Sequence, residues 1–420
     1  MKPSSIAGHL RALVAELGGD LVWVAAADLM TLLASGRQGH RTRIPPRVKS
    51  WLVLGGLRKS ACYLTEDGVL ASSARGNLDR VVFSVLPTST PRVRGRPWSE
   101  VRAYLAWERA ALRLERPLNA GLRARGLPLA PILVRELLLS SARALARAEA
   151  LAPRSRLVLV ATQHNVPARS LVITARRQGL PAVYLAHAPT SISPLYEDLP
   201  ADYAGLRGEM DREAYLRLGA DAEGLRVVGN PTIEIPETPV EPGGVPPIFA
   251  VSPWADQRLP MMVRMISQVC PDVTVAPHPR SDRRYLESVV PSGWTVATQP
   301  TFDLLRQGPP LLLQHSSGVA LEAIALGIPT LQIQLDDEPA NYLFSTDELV
   351  TSVRDAEGLR QAIRMAKAET PEARRERAAR ARPWVSSSGA ASVRACQGLL
   401  AEAVRRGPRG PVLDGWGRPG

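Results

Sequence analysis

The stretch from residue 311 to residue 329, LLLQHSSGVALEAIALGIP, constrains the fold more than any other part of the chain. Residues 311–313 form an apolar run typical of a strand, and the polar residues that follow end it. A helical pattern comes next, with apolar residues three and four positions apart, and Gly327 and Pro329 end it. A strand, a polar turn, a helix and a second strand in this order predict an α/β unit.

The polar turn of this unit is a candidate anion site. It places His315, Ser316, Ser317 and Gly318 at the start of a helix. Helix N-termini attract phosphate because their first N–H groups are unpaired and carry the positive end of the helix dipole. Glu322 lies one turn further along, where it is placed to reach a ribose diol. The alternative is an ordinary helix cap, since serine is a preferred capping residue.

The rest of the chain repeats this alternation. From residue 157 onward, strand patterns and helix patterns follow one another regularly, which predicts an α/β protein with parallel sheets covered by helices on both faces. The part before residue 157 is less regular. There we predict helices at 4–17, 98–114 and 129–151, and strands at 21–27, 61–64 and 81–86.

A stretch rich in Pro and Gly, GNPTIEIPETPVEPGGVPP, divides the alternating pattern. We therefore predict an N-terminal α/β domain at 1–229, a linker at 230–246, a C-terminal α/β domain at 247–406 and a flexible tail at 407–420. Ligands of open α/β sheets bind at the carboxyl ends of the strands, so a cleft between two such domains is the expected place for a site.

Composition narrows the classes of protein. A chain of 420 residues with 45% apolar residues is long and apolar enough to build full cores. Its three cysteines form no disulfide framework, which favours a reducing cytoplasm. We expect no signal peptide and no membrane span, because no apolar run approaches the required length of about 20 residues.

The net charge of +12 fits an anionic substrate, an anionic membrane face or nucleic acid. Aromatic residues make up only 5% of the chain, which argues against a stacking platform for single strands, and we expect no nucleic-acid partner. The basic stretch EARRERAARAR, at 372–382, is typical of a solvated face, with peripheral membrane contact as the alternative.

Histidines at two predicted strand ends are candidate catalytic groups. His278 follows the strand at 273–276, where it could bind phosphate or protonate a leaving oxygen, and Arg280 beside it suits an anion. His187 ends the strand at 182–186 and is a candidate base for an acceptor hydroxyl. The alternative for each histidine is a structural role in a turn.

Other polar turns are candidates for the acceptor side. Asp67 lies in Glu66-Asp67-Gly68, where Asp-Gly is a strong hairpin signal and a carboxylate base is the functional alternative. His164 and Asn165 follow the strand at 157–161, and a helix cap by Asn165 is the alternative there.

Several common motifs are missing from the sequence. It has no phosphate-binding Gly-x-x-x-x-Gly-Lys loop, no Gly-x-Gly-x-x-Gly after a strand and no Gly-x-Ser-x-Gly elbow. No group of His, Cys and Asp has metal-ligand spacing. We therefore expect neither a metal nor a cofactor other than a co-substrate.

The order of motifs in the second half resembles the GT-B glycosyltransferase superfamily. It runs from Val-Val-Gly-Asn-Pro through a Pro/Gly linker to His-Pro after a strand, and then to Ser-Ser-Gly-x-x-x-Glu opening a helix. The most similar motifs are those of bacterial surface-polysaccharide enzymes. These are the sialyl- and Kdo-transferases, the CDP-glycerol glycerophosphotransferases and the non-hydrolysing UDP-N-acetylglucosamine 2-epimerases.

This resemblance implies two Rossmann-like domains facing across a cleft, with a nucleotide sugar bound by the C-terminal domain. It would assign His278, Ser316 and Ser317 to the donor phosphate and Glu322 to the ribose. Glu66-Asp67-Gly68 resembles the acidic motif of sialyl- and Kdo-transferases, whose second acid acts as base. His187 is followed by alanine where such enzymes often have glycine, and the epimerase motif Gly-Thr-Arg-Pro-Glu is absent.

The sequence hypothesis is therefore a metal-independent glycosyltransferase in surface-polysaccharide or capsule assembly. Its donor would be a CMP-, CDP- or UDP-type nucleotide sugar, and its acceptor a glycan or a lipid-linked glycan. We expect it in the cytoplasm, with peripheral contact to the inner membrane face left open. The alternatives are a nucleotide-sugar 2-epimerase and a GT-B-like binding or scaffold protein without catalysis.

Overall fold

The structure is a computed structural model in which two parallel sheets dominate. The described residues are 3–34, 60–64, 68–74, 81–82, 84–86, 97–127, 129–162, 165–191, 197–252, 258–279, 281–335, 342–346 and 349–414. Each of the two sheets has six strands in this part of the chain, and helices surround both. The α/β class predicted from the alternating pattern is confirmed.

The first sheet runs in sequence order, β1-β2-β3-β4-β5-β6. Its first two strands are antiparallel, and all later neighbours are parallel, for example Val158 opposite Ala182. The strands are β1 (Ser60–Leu64), β2 (Val69–Ala74), β3 (Leu157–Val160), β4 (Ala182–Leu185), β5 (Tyr203–Leu206) and β6 (Leu225–Val227).

The second sheet is fully parallel and has the order β12-β11-β10-β7-β8-β9. Its strands are β7 (Ile248–Ala250), β8 (Thr274–Ala276), β9 (Thr295–Val296), β10 (Leu312–Gln314), β11 (Thr330–Ile333) and β12 (Thr351–Val353). This is the doubly wound order of a dinucleotide-binding sheet. The first sheet has no such reversal of strand order, since its strands lie in sequence order. Two α/β units, each built on a helix-covered sheet, are what the sequence resemblance implies, and that expectation about the fold is confirmed.

Helices cover both sheets. They are α1 (Pro3–Leu17), α2 (Asp20–Ala34), α3 (Pro97–Ala124), α4 (Pro131–Leu151), α5 (Val166–Arg177), α6 (Glu209–Arg217), α7 (Leu259–Ser267), α8 (Arg283–Val289), α9 (Thr301–Leu305), α10 (Val319–Ala325), α11 (Ala356–Lys367), α12 (Pro371–Ala381) and α13 (Gly389–Arg406). None of the helices within the described ranges is long and apolar enough to cross a membrane.

The strand predicted at 21–27 is wrong, because these residues belong to helix α2. They are buried together, at 0–2% exposure, in a core shared with α1, α3 and α4. A helix buried on all sides has a continuous apolar run instead of an amphipathic pattern, so periodicity cannot separate it from a buried strand. Asp20 in the first turn and the alanines that follow favour the helix.

The strand predicted at 81–86 is also wrong. Residues 81–82 and 84–85 are helical, and the Leu86 N–H donates to the Val82 carbonyl four residues earlier at 3.0 Å. Their apolar side chains still join the core of the first sheet. The strands around Glu66-Asp67-Gly68 do pair antiparallel, with Leu64 opposite Leu70, as the hairpin interpretation predicts. Glu66 and Asp67 themselves lie outside the described residues.

The last helix of the predicted second domain packs against the first sheet. Cys396 and Leu399 of α13 lie in one core with Leu159, Val183 and Tyr203 of the first sheet. The chain therefore crosses between the two sheets twice. At the crossings, the Asn230 N–H donates to the Ser387 carbonyl at 2.9 Å, so the two connecting segments lie side by side.

The beginning of the predicted flexible tail is fixed in place. The Val412 N–H donates to the Ala201 carbonyl at 2.8 Å, and Leu199 and Leu413 exchange backbone hydrogen bonds. Val412 and Leu413 are buried against the first sheet. The Arg409 and Gly410 N–H groups also donate to Asp202, so apolar and polar contacts together hold the segment there. Residues 415–420 lie outside the described part.

Gly208, two residues after β5 of the first sheet, packs closely against residues 383–384, which follow α12. We predict that Gly208→Ala lowers the free energy of unfolding by about 1–3 kcal/mol, the usual cost of forcing extra atoms into a packed site. A Cβ there would overlap the Pro383 carbonyl oxygen and lie 2.6 Å from Trp384 Cα. Urea unfolding measures the change.

The control is Gly398→Ala in α13, where a new Cβ has no atom within 4 Å. Alanine is favoured over glycine inside a helix by about 0.5–1 kcal/mol, so this variant is expected to be at least as stable as wild type. Equal unfolding midpoints for the two variants would contradict the packing argument at Gly208.

Candidate functional site

The site is set by the strand order of the second sheet. From β7 the chain moves outward through β8 and β9, and it then returns to β10 on the other side of β7 and continues through β11 and β12. The direction of winding therefore reverses between β7 and β10. Ligands of open α/β sheets bind beyond the carboxyl ends of strands at such a reversal. The segment that follows β10 is residues 315–318, the polar turn selected from the sequence.

Gln314 gives this turn its shape. Its side chain is 1% exposed, and its Oε1 accepts the Ser317 N–H at 2.8 Å. The Ser317 hydroxyl accepts the Val319 N–H at 3.4 Å, so the capping alternative applies to Ser317. The Ser316 hydroxyl makes no hydrogen bond with any described residue. Of the two serines, Ser316 is therefore the one whose hydroxyl is not used to hold the turn.

The turn faces the first sheet at close range. A Cβ on Gly318 would lie 3.0 Å from Pro189 Cδ, in the segment after β4. In the same segment, the Thr190 carbonyl accepts the Leu343 N–H at 3.0 Å. The carboxyl ends of β4 and β10 therefore point toward each other, and the structure brings the segment of His187 to the segment of Ser316.

His187 has a defined tautomer. Its Nδ1 lies 2.5 Å from the Ala161 carbonyl oxygen, and a carbonyl can only accept. Nδ1 therefore carries the proton, and Nε2 is the ring atom with the lone pair in the neutral imidazole. Asp211, fully buried, holds this segment from behind by accepting the Thr190 N–H at 3.0 Å. Burial raises the pKa of Asp211 above its usual value.

His278 lies at the carboxyl end of β8, next to β7 in the sheet, and is partly exposed. Its carbonyl accepts the Ser281 N–H at 2.8 Å. The structure therefore places it on the same edge as residues 315–318, with β7 between them. Asp282 caps the helix that follows, by accepting the Arg284 N–H at 3.1 Å. Arg280 lies outside the described residues.

Glu322 is engaged by the first domain. Its Oε1 accepts hydrogen bonds from Arg207 Nη2 at 3.3 Å and from Asn230 Nδ2 at 3.5 Å. The Arg207 side chain is 2% exposed and that of Glu322 is 16% exposed. The Glu322 carboxylate therefore already forms an ion pair between the two domains. A ribose hydroxyl bound to Glu322, as predicted, would share that carboxylate with Arg207.

On the acceptor side, Asn165 has the structural role that was its alternative. Its Oδ1 accepts the Ala168 N–H at 2.9 Å and caps α5. Asp28 of α2 lies against the same helix end. Burial raises the pKa of its carboxyl to about 7, opposed by the Arg169 charge and by a hydrogen bond from the Val166 N–H. His164 lies outside the described residues.

Sequence reasoning missed four residues of this region. Arg207 directly follows β5 and Gln314 ends β10, so a search for polar residues at strand ends would have found both. Asp28 directly follows the stretch at 21–27 that was predicted to be a strand. Asp211 lies in the polar helix α6, although the residue is buried. Across the described residues, no three His, Cys, Asp or Glu side chains are grouped to hold a metal.

Comparison with known proteins gives similarities of fold. No protein-family model matches the chain, and no curated protein does. Among solved structures, a UDP-GlcNAc 2-epimerase from Neisseria meningitidis bound to UDP-GlcNAc is 12% identical, with a TM-score of 0.46, over 64% of this chain and 81% of the other.

Two further structures are similar to the same degree. HepE from Anabaena, in complex with UDP-glucose, is 14% identical, with a TM-score of 0.43, over 74% of this chain and 97% of the other. The calicheamicin glycosyltransferase CalG4 is 17% identical, with a TM-score of 0.43, over 63% and 80%. The identities of these structures to the chain are 12–17% and their TM-scores are below 0.5, so the description of the fold rests on the two sheets themselves.

The ion pair between Arg207 and Glu322 leads to a prediction about stability. Glu322→Gln is expected to lower the free energy of unfolding by about 3 kcal/mol, because it leaves the buried Arg207 charge without its counter-charge. Urea unfolding at neutral pH is the measurement.

Glu287→Gln is the matched control, since the Arg283–Glu287 pair is exposed at 44% and 49%. Exposed pairs contribute about 0–1 kcal/mol, so this variant should unfold almost as wild type does. A loss at Glu322 no larger than the loss at Glu287 would mean that the pair does not hold the domains together.

Proposed function

We propose that the chain is a nucleotide-sugar-dependent enzyme of GT-B type. More specifically, we propose a glycosyltransferase that moves a sugar from a CMP-, CDP- or UDP-type donor to a glycan or lipid-linked acceptor in surface-polysaccharide biosynthesis. The observation that carries the proposal is the position of residues 315–318. This polar turn lies where the second sheet reverses its winding and faces the His187 segment of the first domain.

The donor diphosphate would lie against the second domain. The donors would be the unpartnered Ser316 hydroxyl and the Gly318 N–H, since the Ser317 and Val319 N–H groups are bonded within the turn. The His278 imidazole lies along the same edge of the sheet. Fixed donors of this kind stabilise negative charge that develops on the leaving phosphate, and they need no rearrangement during the reaction. Gly318 keeps the turn close to Pro189, which limits the space for water between the domains.

The base would come from the first domain. His187 is the best placed, because its Nδ1–H donates to the Ala161 carbonyl, which makes Nε2 the basic nitrogen of the neutral ring at the end of β4. Asp67 stays a prediction from the sequence.

The test is a thermal-shift panel with CMP, CDP, UDP, GDP and dTDP. A ligand present at a hundred times its dissociation constant stabilises the protein by about 2.7 kcal/mol, which gives a readily measured rise in melting temperature. We expect one of these nucleotides to stabilise the wild type, and Ser316→Ala to lose most of that shift.

Ser267→Ala is the control in the same domain, since Ser267 is an exposed helix residue bonded to the Arg264 carbonyl. It should respond to nucleotide as wild type does. The absence of a shift with all five nucleotides would refute the donor site. Binding followed by conversion of a nucleotide sugar without any acceptor would refute the transferase and favour the epimerase.

A further inference from the structure

The outward side of helix α3 exposes a row of apolar side chains. Val101, Leu105 and Leu112 are 45%, 47% and 50% exposed. Their spacing of four and seven residues places them on one face of the helix. Ile132, 50% exposed in the first turn of α4, is a fourth large apolar side chain in this helix pair. Large aliphatic groups are normally scattered singly on a surface, so a row of them marks an interaction surface.

A row of arginines lies beside the apolar row. Arg102, Arg109, Arg116 and Arg123 repeat every seven residues and are all exposed. None of the four forms an ion pair with a residue in the described ranges. A seven-residue repeat keeps them in one stripe along the helix, next to Leu105 and Leu112. We call the two rows together the outer face of α3.

The acidic residues of α3 border the other side of the apolar row, and Glu115 lines one surface pocket together with Leu112 and Arg116. Glu115 pairs with Arg135 of α4 at 2.7 Å, and Glu100 lies 3.7 Å from Arg147 of the same neighbour. Glu108 accepts the Tyr104 hydroxyl at 3.0 Å. All three glutamates are partly buried. Glu115 and Glu100 are thus paired with arginines of α4, whereas the four arginines of the stripe have no acidic partner among the described residues.

The opposite side of α3 fixes the helix to the protein. Ala111, Leu118 and Leu122 are 1–2% exposed and lie in the core shared with α1, α2 and α4. The 28 residues of α3 correspond to a rod about 42 Å long. The outer face is therefore a preformed surface that needs no folding step before it meets a partner.

We propose that the outer face of α3 docks the protein on an anionic membrane surface. Aliphatic side chains beside a stripe of arginines are the pattern of helices that lie in the plane of the interface, with the apolar row entering the acyl boundary and the arginines meeting lipid phosphates. The phosphates of a nucleic-acid duplex would bind the arginines, but a duplex would leave the leucines without an apolar partner. The proposal is independent of the nucleotide site.

Helix α12, which contains most of the basic stretch at 372–382, has neither an exposed apolar row nor a stripe of unpaired arginines. Arg375 pairs with Glu372, and Arg377 pairs with Glu369. None of the described large apolar side chains with high exposure belongs to α12. Two of the four arginines of this helix are paired locally and it lacks an apolar row, so basic composition alone does not create the surface.

Vesicle co-sedimentation of the full chain tests the proposal. The vesicles contain either phosphatidylcholine alone or equal parts of phosphatidylcholine and phosphatidylglycerol. We expect the wild type to sediment with the anionic vesicles. Each basic residue near such a surface contributes about fivefold to binding, so Arg109→Gln/Arg116→Gln/Arg123→Gln should lower the partition coefficient on the order of a hundredfold. Leu105→Ser/Leu112→Ser should lower it about tenfold or more.

Two control variants alter equivalent side chains elsewhere. Leu218→Ser/Met365→Ser removes apolar residues that are 48% and 68% exposed, and Arg364→Gln/Arg375→Gln/Arg405→Gln removes the same charge as the arginine variant. Both should sediment as wild type does. Circular dichroism establishes that every variant is folded, which is expected because the replaced side chains are already exposed.

Three outcomes would overturn the proposal. The first is a wild type that does not bind anionic vesicles. The second is a loss of vesicle binding in the control variants as large as the loss in the α3 variants. That result would attribute the binding to the overall charge of the protein. The third is an effect of the leucine variant on the sedimentation-equilibrium mass of the protein and not on vesicle binding, which would assign the face to a second copy of the chain.

Discussion

The ion pair between Arg207 and Glu322 joins the two halves of the molecule at the point where their sheets meet. Arg207 follows β5 of the first sheet, and Glu322 lies in the helix that follows β10 of the second. Both partners are largely withdrawn from water, where an unpaired charge is costly, so the pair specifies one relative position of the sheet edges. Asn230, at the crossing between the domains, binds the same carboxylate.

This constraint decides what can lie in the cleft. With the carboxyl edges fixed toward each other, the Gly318 turn approaches Pro189, and the segments of His187 and Ser316 become opposite walls. One wall presents hydroxyl and N–H donors suited to a phosphate, and the other presents an imidazole whose Nδ1 is committed to a carbonyl. A group transferred from a phosphate to a hydroxyl needs both walls, which is the physical basis of the transferase proposal.

The alternating strands and helices after residue 157 and the turn at 315–318 were predictable, because parallel strands and their connecting helices have strong local patterns. The helix at Asp20–Ala34 was not, since a helix buried on every side has no amphipathic period. The return of α13 to the first sheet was not predictable either, because an amphipathic pattern does not say which sheet it covers. Arg207 and Glu322 are 115 residues apart, and no local pattern pairs them.

Hydrogen exchange measured by mass spectrometry, with and without a stabilising nucleoside diphosphate, tests the central claim most directly. The claim is that the ligand binds where the second sheet reverses its winding and faces the first domain. The account predicts slower exchange in peptides covering residues 315–321 and 187–191, because ligand contacts and domain closure protect both walls of the cleft. Protection confined to the opposite, amino edge of the second sheet, or to helices outside the cleft, would contradict it.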